Sequence, residues 1–121
     1  MCKNSCSCQL PADRLLQPLL LFLLLLKPSH GYELIQRLAR LDLLEGEVDP
    51  TTVYRNLRRM EQEELVSSSW EAVETGPARR QYAVTSRGEE LLHAWMATIA
   101  RQKEKLERFI DLYEQSLNRK V

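Results

Sequence analysis

Hydrophobic and polar positions divide the chain into stretches of different period. Residues 18–26 read PLLLFLLLL and are closed by Lys27-Pro28. The run falls well short of the roughly 20 apolar residues that span a bilayer, so it predicts a fully buried first helix over about residues 13–26. Ser29 is placed to cap a second helix, in which Leu34, Ile35, Leu38 and Leu41 follow the helical stripe and Glu45-Gly46-Glu47 supplies the stop. Asp49-Pro50 opens a third helix reaching about residue 64, because aspartate accepts from open N–H groups and proline loses nothing at the first helical position.

Within this third helix Val53, Leu57 and Met60 form one narrow stripe. Thr51, Arg55 and Arg58 then lie opposite, with Tyr54 and Arg59 on the flanks and Thr52 beside them. The period then changes. Val66, Ser68, Trp70 and Ala72 alternate with polar neighbours, Glu74-Thr75-Gly76-Pro77 turns the chain, and Arg80, Tyr82 and Val84 alternate again, predicting a β-hairpin. Trp70 is expected to anchor that hairpin to the core. Thr85 caps a final helix that runs to about residue 118.

The resulting fold class is mainly α with a small β-hairpin: a winged helix-turn-helix with a long C-terminal dimerisation helix. Its expected parts are a cysteine-bearing tail at 1–12, a winged-helix DNA-binding domain at 13–85 and the dimerisation helix at 86–121. In this layout the third helix enters the DNA major groove. Candidate DNA-binding residues are Thr51, Thr52, Tyr54, Arg55, Arg58 and Arg59 on that helix, with Arg79 and Arg80 just past the hairpin turn. Helix donors facing base edges carry specificity, and contacts to phosphates carry affinity.

Charge over the whole chain adds nothing, since 17 Lys and Arg balance 17 Asp and Glu. Its segregation does, because residues 50–60 hold three arginines and no acid. No small-residue cleavage site follows the leucine run, so a cytoplasmic location without membrane association is expected. No Ser-His-Asp set, phosphate loop or HExxH motif is present, and an enzyme is not expected.

Three segments together resemble the PadR family of transcriptional regulators, over roughly residues 19–92: LLLLKPSHGYELIQRL, DPTTVYRNLRRMEQEELV and SSSWEAVETGPARRQYAVTSRGEELL. The last is the most specific, joining a Trp-Glu strand, a Gly-Pro-x-Arg-Arg turn, a Tyr strand and a Thr-x-x-Gly helix start. The resemblance implies a homodimeric winged-helix repressor that binds a pseudo-palindromic double-stranded DNA operator and is released by an effector, for which a small molecule or a metal is the candidate here. By motif position, Tyr54 would meet the DNA backbone and Arg79 and Arg80 would serve the wing. Arg55-Asn56 departs from the pattern, standing where many members have proline followed by a small residue.

Leu92, Met96, Ile99, Lys103, Leu106, Ile110, Tyr113 and Leu117 step by four and three in alternation, the spacing of a coiled-coil seam with one charged interruption. The seam predicts dimerisation through Leu92, Met96, Ile99, Leu106, Ile110, Tyr113 and Leu117. Trp95 beside it is expected to be buried structurally. It is also a candidate ligand residue, since some relatives of the family bind flat aromatic compounds between aromatics at the dimer interface. His30 is expected to cap or pack, and His93 to lie on the surface.

The three cysteines, Cys2, Cys6 and Cys8, all fall in the first eight residues. No cofactor is required by the rest of the chain, but thiolates at this spacing can hold a soft metal ion, form a redox switch, or be inert. A thiol-based metal or redox sensing protein is therefore the alternative reading.

Overall fold

The computed structural model describes residues 12–44, 46–72, 76 and 78–120. Its elements are α1 (Ala12–Leu26), β1 (Ser29–His30), α2 (Gly31–Leu41), α3 (Pro50–Gln62), β2 (Val66–Glu71), β3 (Arg79–Val84) and α4 (Ser86–Lys120). This is the expected winged-helix order, with one addition. The hairpin is part of a three-stranded antiparallel sheet in the order β1-β3-β2, with Ser29 opposite Tyr82 and Val66 opposite Val84.

The leucine run of α1 forms the centre of the core. Leu20 and Leu21 are fully enclosed, and Leu16, Leu23 and Leu24 are nearly so, together with Leu34 and Leu38 of α2, Val53, Leu57 and Met60 of α3, and Tyr82 of β3. Burying each such leucine is worth about 1.5–3 kcal/mol, which offsets the hydrogen bond that Pro18 forgoes inside the helix. The full burial of α1 expected from the sequence is not met. Phe22, Leu25 and Leu26 face outward. Among the described residues no helix is long and apolar enough to cross a membrane.

Ser29 does not cap α2. It is fully buried in β1, where its hydroxyl accepts from Arg37 Nη1 at 2.7 Å. Arg37 Nη2 donates to the Leu23 carbonyl at 2.9 Å, so one guanidinium ties α2 to β1 and to the end of α1. The cap position belongs to His30, whose backbone N–H is taken by Glu33 Oε1 at 2.8 Å. At its other end α2 stops at Leu41, ahead of the expected stop at residues 45–47, with Asp42 in the left-handed region at φ 52°.

The passage from α3 into the sheet depends on Thr85. Its Oγ1 lies 2.7 Å from the Glu64 carbonyl and 3.0 Å from that of Leu65, and its single proton serves one of them. The same oxygen accepts from the Gly88 N–H at 3.1 Å, capping α4. Gly88 sits directly on this junction: a Cβ there would stand 2.1 Å from the Leu65 carbonyl oxygen. Gly88→Ala is therefore expected to push α4 off the α3–β2 junction and cost about 1–3 kcal/mol, read as a lowered urea midpoint.

Candidate nucleic-acid interface

The start of α3 is built as the sequence predicts. Asp49 Oδ1 accepts from the Thr51 N–H at 3.2 Å and Oδ2 from the Thr52 hydroxyl at 2.9 Å, with Pro50 at the first helical position. Such a cap is worth about 1 kcal/mol. Val53, Leu57 and Met60 anchor the helix in the core with no exposed surface. Thr51, Arg55, Arg58 and Arg59 are consequently exposed. Among the described residues none of these arginines has an ion-pair partner; the acids Glu61 and Glu64 pair instead with Arg80 and Arg87. The outer face thus carries positive charge that no ion pair cancels among the described residues, with Glu63 the acid lining the same cleft as Arg55 and Arg59.

The flanks of α3 differ from this face. Thr52 is half-buried and its hydroxyl is committed to the Asp49 cap; with Gln17, Arg55, Asn56 and Arg59 it lines a polar cleft between α1 and α3. On the other flank Tyr54 lies over α2. Its Cε1 is 2.2 Å from where a Cβ on Gly31 would be, so only glycine leaves room for this ring.

The two wing arginines separate. Arg79 is exposed and donates to the Tyr32 hydroxyl. Arg80 lies back along the sheet, 5.1 Å from the centroid of the Trp70 ring and 3.9 Å from Glu61 Oε1. Trp70 does not anchor the wing to the core: it is 66% exposed and paired across the strands with Arg80. The inward alternation expected of β2 persists in register, but the strand runs past the helices that could cover it. Of the turn, only Gly76 is described among residues 73–77.

His30 caps α2 and packs beneath the wing as expected, while its partners Glu33 and Glu71 were not singled out in the sequence. His30 is nearly buried, with Nδ1 2.7 Å from Glu33 Oε1 and Nε2 3.3 Å from Glu71 Oε2. The second contact falls within ion-pair range but lacks hydrogen-bond geometry. The only sequence signal for this cluster was the His-Gly-Tyr run itself.

Elsewhere, Leu92 is buried in the chain's own core and is not available to a partner, a correction to the expected seam. Met96, Leu106, Ile110, Tyr113 and Leu117 are exposed, and Ile99 is half-buried. Trp95 is half-buried at an open cleft with Gln17, Leu65, Arg87 and Leu91, and His93 is on the surface. Cys2, Cys6 and Cys8 lie outside the described residues. Among the described residues no cluster of three His, Cys, Asp or Glu side chains could hold a metal ion.

The family model described as "Transcriptional regulator PadR-like family" matches residues 20–94, from the core of α1 through the wing into α4. The chain belongs to this family. It is a DNA-binding transcriptional regulator and not an enzyme. The X-ray structure of a PadR-like transcription factor from Bacteroides fragilis superposes with a TM-score of 0.68 at 27% identity, covering 78% of this chain and 89% of that one. An uncharacterized protein of Lysinibacillus sphaericus is 26% identical over 102 residues, covering 84% of this chain and 90% of its own length. Bacillus subtilis PadR in complex with operator DNA has the same fold, with a TM-score of 0.62 at 20% identity over 69% of this chain and 46% of that one.

The capping carboxylate of this PadR-family chain carries a pH dependence. The backbone N–H of His30, then its side chain, hold the Glu33 carboxyl below its ordinary range. A lowered folded-state value contributes stability above the unfolded value, lost as pH falls through the folded one. Glu33→Gln is expected to flatten the acid limb of stability against pH in urea titrations, leaving neutral and alkaline behaviour parallel to the parent.

Proposed function

We propose that the protein is a cytoplasmic, dimeric repressor that reads a pseudo-palindromic operator with α3 and the wing and is released by an effector. The observation that carries the reading is the acid-free outer face of α3, where Arg55, Arg58 and Arg59 are exposed without an ion-pair partner among the described residues. A helix seated by Val53, Leu57 and Met60 presents this face rigidly, as direct readout in a major groove demands. The wing supplies a second positive point through Arg79, suited to a phosphate.

Self-association is supported by α4. Leu106, Ile110, Tyr113 and Leu117 repeat at seam spacing on a helix of 35 residues and are all about half exposed in the single chain. Two-fold pairing through this stripe would present two copies of α3 to half-sites about one DNA turn apart. The candidates for effector sensing are the cleft beside Trp95 and the thiols of Cys2, Cys6 and Cys8, which lie outside the described residues.

The test is fluorescence-anisotropy binding to DNA upstream of the protein's own gene at several salt concentrations. Binding should be steeply salt-dependent. Arg55→Ala should cost about 1–3 kcal/mol and relax sequence preference, whereas Arg79→Ala with Arg80→Ala should weaken all sequences alike and flatten the salt slope. Parental affinity in both variants would refute the assigned surface. Repeating the titration with zinc-loaded or mildly oxidised protein assigns the signal: a change that needs the three cysteines makes them the sensor, and indifference directs the search to Trp95.

A further inference from the structure

Three consecutive residues at the start of α2 touch three parts of the proposed reading surface. Gly31 seats the ring of Tyr54 on α3. Tyr32 accepts from Arg79 Nη1 on β3, and the guanidinium carbon sits 5.8 Å from the Tyr32 ring centroid. His30 brings Nε2 to 3.3 Å from Glu71 on β2. Glu71 and Arg79 face each other across the hairpin, so His30 and Tyr32 grip the two sides of one rung.

The two rings act together. They stack with centroids 5.5 Å apart and planes 11° from parallel, and His30 is only 8% exposed. Tyr32 is therefore backed by a ring that cannot move aside. Glu71, the carboxylate opposite Arg79 on the hairpin, is turned to His30; among the described residues no ion pair joins it to Arg79. The positive charge at the base of the wing is thus oriented by the Tyr32 hydroxyl and left unpaired by the carboxylate opposite.

We infer that Tyr32 is a positioning residue for DNA recognition, holding Arg79 toward the phosphate backbone in fixed relation to the α3 helix seated on Gly31. The inference rests on the wing reading above. An arginine has five N–H donors, and one given to a hydroxyl leaves the rest for a phosphate. Fixing a flexible side chain beforehand removes an ordering cost otherwise met on binding.

The test is the conservative variant Tyr32→Phe, which keeps the ring and its stacking on His30 but removes the hydroxyl. With the full-length reduced protein and the same upstream DNA, affinity is expected to fall about three- to tenfold, with a slightly flatter salt slope and an unchanged thermal midpoint. In an Arg79→Ala background the same substitution should have no further effect, since the two residues act as one unit. Equal losses in both backgrounds, or no loss for Tyr32→Phe where Arg79→Ala alone weakens binding, would overturn the positioning role. Full affinity in Arg79→Ala would instead overturn the wing reading, and the inference with it.

Discussion

Everything in this fold depends on how α1 is buried. Leu16, Leu20, Leu21, Leu23 and Leu24 cover one broad face of the helix, and α2, the sheet and α4 all pack against α1. Close-packed interiors transmit displacement. The exposed face of α3 is therefore held in place by leucines that no ligand touches, through Val53, Leu57 and Met60 in the same cluster. The proposed reading surface and the fold share one core, and a cavity in α1 would be felt at the arginines.

Much of this was legible in the chain. Asp49-Pro50 announces the start of α3 because capping and proline placement are local physics, and the stripe of Val53, Leu57 and Met60 leaves the arginines only one side to occupy. The two-residue strand β1 was not legible. Period 2 cannot be recognised in two residues, and serine after proline is a good local cap; what decides is Arg37, two turns into α2, and Tyr82, far along the chain. Trp70 misled for a related reason. Alternation tells which face of a strand a residue is on, but not whether anything covers that face. Leu92 shows the same limit on a helix, where a stripe does not say whether its partner is the same chain or another.

Two glycines do quiet structural work at close approaches. Gly31 leaves room for the Tyr54 ring beside α2, and Gly88 lets α4 meet the Leu65 carbonyl. Neither is in a left-handed conformation; each is needed for space. Between them they set the relation of α3 to α2 on one side and to α4 on the other, which gives the glycines of HGY and Thr-x-x-Gly in this chain a packing reason.

The far half of α4 leaves Leu106, Phe109, Ile110, Leu112, Tyr113 and Leu117 in water. Any self-association that removes this surface from water makes apparent stability a function of protein concentration by mass action. The quantity of regulator present then governs how much of it is folded and assembled as well as how many sites it fills. For a chain of this design, abundance is itself a thermodynamic input.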